Sequence, residues 1–309
     1  MGLRFIDGPE LAAVLPMSAA VDCLEVGFGQ EVLPVAPLRS LVKTSAGDLL
    51  IMAASAEWGT GVKLVTVNRW NPSRGLPLIH AVYVLFAGDS MAPLVAIEGA
   101  ALTAIRTAAV SGLATRHLAR ADARRLVMFG AGTQAHSHLE AMLAVRPSIA
   151  EVGVVSRSRE PAERLTERAR SMGLDAVTEA HDAVARADIV CTCTTSSEPL
   201  FDGSLLRSGT HVNAVGAYQP HTRELDTQTV MRARIVVETR EVALAEAGDL
   251  LIPMSSGLID SSAIVADLSE VVRGAVVRRT PDDVTVFKSV GVAFEDLMVA
   301  RAAFERIRE

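Results

Sequence analysis

The sequence predicts an α/β protein in which a parallel-sheet domain is inserted into a smaller α+β domain. Three observations carry that expectation. Between about residues 122 and 240, short apolar runs alternate with helical stretches, the pattern of βαβ units on a parallel sheet. Ahead of residue 120 the apolar segments are separated by turn signals, which fits an antiparallel, meander-like sheet. A last helical segment, Val292–Arg308, has its natural place back against the first domain, which it would split.

Along the chain, apolar segments at Leu49–Ala53, Val62–Val67, Ala81–Phe86 and Leu94–Ile97 are the expected strands of the first domain. Asn71-Pro72, Arg74-Gly75 and Gly88-Asp89-Ser90 supply the turns between them. An Ala-rich helix, about Thr103–Leu118, leads into the central domain. There Leu126–Phe129, Val152–Val155, Ile189–Cys191, Val212–Val215 and Ile235–Val237 read as buried strands. Thr133–Val145 and Pro161–Met172 read as helices, the second opened by its proline and closed by Gly173. The expected division is 1–120 with a returning 288–309 segment, and 121–287.

Composition narrows the function classes. Half of the 309 residues are apolar and 21% are charged, with a mean hydropathy of +0.30, which excludes disorder and a fibrous repeat. Thirty basic against 36 acidic residues leave a charge of −6, too acidic for a nucleic-acid binder that neutralises phosphates over a broad face. No run reaches the ~18 apolar residues of a spanning helix, and the N-terminus lacks a signal pattern, so a cytoplasmic protein with no membrane partner is expected. The three cysteines, Cys23, Cys191 and Cys193, lack the spacing of a zinc or dithiol site and are expected as free thiols. His136 and His138 point to different helix faces, and no metal site is expected. Only Lys43, Lys63 and Lys288 interrupt an otherwise all-arginine basic set, which draws attention to places where arginine does not serve.

The clearest chemical signal is Gly130-Ala131-Gly132-Thr133-Gln134-Ala135, a Gly-x-Gly-x-x-Ala between an expected strand and an expected helix. Gly130 permits the tight turn, Gly132 admits a pyrophosphate to the backbone, Ala135 keeps helix and strand close, and the helix N-terminus faces the anion. The inserted domain is therefore of Rossmann type. At the end of the second strand, where NAD binders place an acid for the ribose hydroxyl, stand Ser156, Arg157 and Ser158. A cation and two hydroxyls suit a 2′-phosphate, so NADP(H) is preferred and NAD(H) remains open.

Two cations in the first domain need an explanation. Arg106 near the start of the Ala-rich helix lies on the unfavourable end of the helix dipole and calls for an anion, either a substrate carboxylate or a partner such as Glu98. Lys63 interrupts the apolar run Gly61–Val67. It either points into a desolvated cleft, where it becomes a usable proton donor, or snorkels to water.

These signals, taken with GVKLVTV, NPSRGLP, LTAIRTAAVSGLATRHLAR, GAGTQA, THVNAVGAYQPHTRELD, VETREVALAEAGDL and TVFKSVGVAFEDL, resemble the ornithine cyclodeaminase/μ-crystallin family over nearly the whole chain. The resemblance implies a homodimer formed through the non-Rossmann domain and a nicotinamide cofactor facing an amino- or imino-acid pocket between domains. It implies that Arg39 and Arg106 grip the substrate carboxylate and that Lys63 lies by the reacting nitrogen. It assigns cofactor contacts to Thr107, Gly130, Gly132, Thr133, Gln134, Ser156, Arg157, Ser158, Thr194, Thr195, Val215 and, near the nicotinamide, Ser289.

One departure is informative. Cyclodeaminases of the family carry an aspartate two residues after the glycine that follows the fourth strand, where this chain has Tyr218 after Gly216 and Ala217. Reductase-like members lack that aspartate too. The expectation is an NADPH-dependent reductase of an imine of an α-keto acid, of the ketimine or pyrroline-2-carboxylate type. The alternatives are cyclodeamination of ornithine to proline with bound NAD, dehydrogenation of N-substituted amino acids, and a non-catalytic NADPH-dependent binder of μ-crystallin type.

Overall fold

The computed structural model describes residues 3–308. The chain opens with β1 (Arg4–Ile6), α1 (Gly8–Val14), α2 (Met17–Gly29), β2 (Ser40–Lys43), β3 (Asp48–Ala56), β4 (Gly59–Val67), β5 (Ile79–Ala87), β6 (Pro93–Glu98) and α3 (Gly99–Leu118). It continues through β7 (Arg125–Phe129), α4 (Thr133–Val145), β8 (Glu151–Val155), α5 (Arg159–Ser171), β9 (Asp175–Thr178), β10 (Ile189–Thr192) and β11 (His211–Ala214). It ends with α6 (Thr227–Arg232), β12 (Arg234–Val237), α7 (Arg240–Glu246), α8 (Gly248–Ser255), β13 (Ile264–Asp267), α9 (Leu268–Val272), β14 (Thr285–Lys288) and α10 (Ala293–Arg308). Two compact units result: one runs to Arg106 and resumes at Val292, the other is Thr107–Gly291. The division thus falls inside α3 and after β14, at neither 120 nor 288.

The first unit holds a six-stranded sheet in the order β1-β6-β5-β4-β3-β2. The strands from β2 to β6 pair antiparallel, whereas β1 runs parallel to β6. β1 and β2 have three and four residues, too few for alternation to show, and the sequence reading lacks both. Helix α10 packs on β3, β4 and α2, with the rings of Phe28 and Phe294 meeting edge-on at 4.8 Å.

The second unit holds eight parallel strands in the order β13-β12-β14-β11-β10-β7-β8-β9. Five of them, β7, β8, β10, β11 and β12, are the apolar runs recognised from the sequence, and they are buried almost throughout. β9, β13 and β14 are additions of four residues each. The Thr107–Leu118 part of α3 ends under Arg146, whose guanidinium donates to the carbonyls of Thr115, Arg116 and Ala119.

Candidate functional site

In the first unit, register places Lys63 of β4 opposite Met52 of β3 and Tyr83 of β5. Lys63 is 1% exposed, so it does not snorkel to water. Its Nζ donates to Asp296 Oδ1 at 2.8 Å and to Thr103 Oγ1 at 3.1 Å. An ammonium carries three N–H donors, which leaves the third for a ligand. Burial, with help from the charges of Arg106 and Arg39, lowers the Lys63 pKa from 10.5 to about 8, against the opposing pull of Asp296.

Arg106 stands differently from the sequence reading. Because α3 starts at Gly99, Arg106 lies two turns into the helix, away from its N-terminal dipole. Its partner is Glu295, with Nη1 2.9 Å from Oε2, and its Nε lies 3.4 Å from Asp296 Oδ1. Glu98 faces the other way, its Oε2 2.8 Å from where a β-carbon on Gly8 would stand. Glu295 and Asp296 are buried in the first turn of α10, the favourable end of that helix for acids. Arg39 is half-buried in the extended stretch before β2, near enough for its charge to act on Lys63. Two buried cations, Lys63 and Arg106, therefore meet two buried carboxylates, and the charge of Arg39 reaches Lys63.

In the second unit, β7 ends at Phe129 and the backbone turns at Gly130 with φ +100. A β-carbon there would lie 2.3 Å from the Cys193 carbonyl, so only glycine fits. Gly132 caps α4 without a side-chain hydrogen bond, and a β-carbon on it would meet no protein atom within 4 Å. An open backbone cradle faces the helix N-terminus. It belongs to a cavity of about 330 Å³. Gly130, Gly132, Ser156, Arg157, Ser158, Thr194 and Thr195 line it, together with His181, which sequence reading missed. No Asp or Glu lines it, and Arg157 makes no hydrogen bond or ion pair with the described residues. The Thr107 hydroxyl and Gln134 Oε1 are buried without hydrogen-bond partners among the described residues, while Thr133 is exposed at the start of α4. Glycine cradle and orphaned polar atoms together fit a dinucleotide.

Buried charged groups hold this cavity's loops. Glu224 accepts from Thr192 Oγ1 at 2.7 Å, Thr194 N at 2.9 Å, Thr194 Oγ1 at 2.6 Å and Gly216 N at 2.7 Å. Lys288 pairs with Asp249 at 2.9 Å and donates to the Ala217 carbonyl at 2.5 Å. These bonds fix the turn around Val215, whose N–H donates to Thr192. Ser289 is buried and its hydroxyl donates to Glu238 at 2.6 Å, which leaves its lone pairs for a ligand. Tyr218, 38% exposed, lies on the loop after β11. The only early sign of such groups is a charge set within an apolar stretch, as Glu295-Asp296 is between Phe294 and Leu297.

Comparison with known proteins accords with this geometry. The chain is 40% identical over 267 residues to a Delta(1)-pyrroline-2-carboxylate reductase of Bacillus cereus, covering 84% of this chain and 82% of the relative. Its fold matches that of Thermococcus litoralis Delta(1)-pyrroline-2-carboxylate reductase in complex with NADH and L-proline, with a TM-score of 0.93, 34% identity, and coverage of 99% and 98% of the two chains. An archaeal alanine dehydrogenase dimer with bound NAD superposes with a TM-score of 0.94 at 29% identity over 100% and 97% of the two chains. The family model of the ornithine cyclodeaminase/mu-crystallin family matches residues 11–309, and the chain belongs to that family.

Proposed function

We propose that this protein is an NADPH-dependent reductase of imines of α-keto acids, with Delta(1)-pyrroline-2-carboxylate as the type substrate. The observation that carries the reading is the buried network of Lys63 and Arg106 with Glu295 and Asp296, with the half-buried Arg39 near enough for its charge to act on Lys63. It matches a substrate with a single carboxylate beside a nitrogen that must gain a proton. The names of the relatives, among them a reductase of this imine, point the same way.

Arg39 and Arg106 would fix the carboxylate, and the third N–H of Lys63 would face the imine nitrogen. When bound, the dinucleotide supplies hydride to the imine carbon. Gly130, Gly132 and the start of α4 would hold its pyrophosphate, and Thr133, Gln134, Thr194, Thr195 and Val215 would line its path. NADPH over NADH is supported by Ser156, Arg157 and Ser158 in a cavity that has no carboxylate in its lining. Tyr218 would shape the substrate's surroundings without acting as a base, since a neutral phenol is a poor one.

The proposed partner is a second copy of the chain. In the first unit Val35, Leu38, Leu41, Val42 and Trp70 are exposed, and β2 is an edge strand exposed at every residue. Such an apolar edge needs cover. Light scattering should give twice the 32.7 kDa chain mass. The activity itself is tested by mixing purified protein and NADPH with cyclic imino acids and with keto acid plus amine. Turnover on the imines supports the reading, whereas binding of NADPH with no turnover on any of them favours a small-molecule binding protein.

A further inference from the structure

Lys63 reaches Asp296 across the unit in a way that the reductase reading does not require. A lysine that merely attracted a carboxylate would gain nothing from a buried carboxylate of the protein at 2.8 Å, which competes for the same charge. Asp296 is fully buried, and its Oδ2 has no hydrogen-bond partner among the described residues. Only Oδ1 is used, and it sits between Lys63 Nζ at 2.8 Å and Arg106 Nε at 3.4 Å. Thr103 Oγ1 accepts the second Lys63 proton while donating its own to the Gly99 carbonyl at 2.7 Å, so the hydroxyl cannot turn round to donate to Nζ. Two acceptors anchored on α3 and α10 thus fix two of the three ammonium protons. The direction of the third is thereby set.

We propose that Asp296 is a positioning residue for proton delivery, keeping the Lys63 ammonium charged and aimed so that its third N–H serves as the acid for the imine nitrogen. The inference rests on the imine-reductase reading. In the step itself, one Nζ–H bond breaks and its electron pair stays on Nζ, while an N–H bond forms from the imine lone pair. The resulting iminium accepts the hydride supplied by NADPH, which is oxidised. Lys63, left as a neutral amine beside the Asp296 carboxylate, regains a proton from water.

The charged and titratable groups around Lys63 oppose one another. Arg106 of α3 and Arg39 before β2 disfavour a third positive charge, as burial does, and Tyr83 opposite on β5 is neutral, its phenol pushed upward by burial and by Asp296. Glu295 beside Asp296 is engaged with Arg106. Asp296 is thus the group that offsets burial, and without it the ammonium would lose its proton well below its midpoint of about 8.

The chain has only Lys43, Lys63 and Lys288, so protein labelled with ¹³C and ¹⁵N at lysine gives three side-chain signals. Asp296→Asn keeps an acceptor and removes the charge. It should lower the Lys63 NMR midpoint by about one pH unit or more. The alkaline limb of kcat/KM for imine reduction should move down by the same amount, with NADPH affinity unchanged. A structural role alone would lower activity equally at every pH. An unmoved Lys63 midpoint, or an unmoved kinetic limb in a variant that still reduces imines, overturns the proposal. If Asp296→Asn fails to fold, Asp296→Glu carries the test: its NMR midpoint and kinetic limb must coincide, and a limb that departs from the midpoint overturns the acid role. Failure of the wild type to reduce any imine would instead remove the reductase reading, and the acid role with it, while the NMR titration reports the Lys63–Asp296 coupling on its own.

Discussion

Arg106 Nη1 and Glu295 Oε2 stand 2.9 Å apart although 189 residues separate them in the chain. Both are buried, so the pair joins α3 to α10 inside one unit and gives a cation in the middle of a helix its counter-charge. Removing one partner of a buried pair costs about 3–5 kcal/mol, because the other is left desolvated and alone. Arg106→Leu is therefore expected to be unstable as well as slow. The double variant Arg106→Leu/Glu295→Leu should recover most of that stability in urea titrations. Its kcat/KM should stay about 10- to 100-fold below wild type, with NADPH affinity unchanged. Near-normal kcat/KM in the stable double variant would make Arg106 structural.

The two glycines of the cradle should behave oppositely. Gly132→Ala adds a methyl where no protein atom lies within 4 Å, so thermal stability without dinucleotide should hold or rise slightly. Its dinucleotide affinity should fall, since that methyl occupies the pyrophosphate's path. Gly130→Ala should be destabilised outright, with φ at +100 and the Cys193 carbonyl 2.3 Å from the new carbon. Full dinucleotide affinity in Gly132→Ala would place the phosphates elsewhere.

On the proposed reading, Arg157 decides between the two dinucleotides. Arg157→Asp should weaken NADPH by about tenfold or more, with little loss for NADH. Added salt should weaken NADPH binding more than NADH binding in the wild type, because the extra contact is electrostatic. Equal affinities for NADPH and NADH in fluorescence titrations would count against the assignment.

Much of this was legible in the sequence because it is local. Strand β7, the glycine turn and α4 follow one another within 21 residues and carry period, turn and helix signals together. The limits of α3 were less legible. Gly99-Ala100-Ala101 has neither a capping side chain nor a hydrophobic period, so the sequence points to a helix from about Thr103 with Arg106 near its start. The acids that answer the cations were hidden for a different reason. Glu295 and Asp296 meet Arg106 and Lys63 only through the packing of α10 on the sheet, which no local pattern encodes. Glu224 and Glu238 serve loops by backbone N–H groups, and a sequence does not show which amides lack partners.

Two buried histidines should weaken the fold toward acid. Burial lowers His138 from 6.5 to about 4 and His211 from 6.5 to about 3. Their ring nitrogens lie against Gln134 O and Ser111 Oγ, and against Thr285 Oγ1 and Asn213 Oδ1, respectively. Below their ordinary value the unfolded chain takes up protons that the folded chain refuses, so stability falls as pH drops from 6.5 toward about 4. Each histidine contributes a slope of up to roughly 1.4 kcal/mol per pH unit. His138→Gln, if folded, should flatten the acid slope of urea stability by about that amount, and an unchanged slope would remove His138 as a cause.

The family resemblance implies an aspartate in cyclodeaminases at the place where this chain has Tyr218, and a phenol does not serve as a general base as a carboxylate does. Tyr218→Phe should therefore retain most of the imine-reductase activity. The direct test is to supply the purified protein with Delta(1)-pyrroline-2-carboxylate and NADPH in one assay and with ornithine and NAD in another, following proline in both and ammonia in the second. The account predicts NADPH-dependent proline formation from the imine and little or none from ornithine; release of ammonia and proline from ornithine at a comparable rate would contradict it.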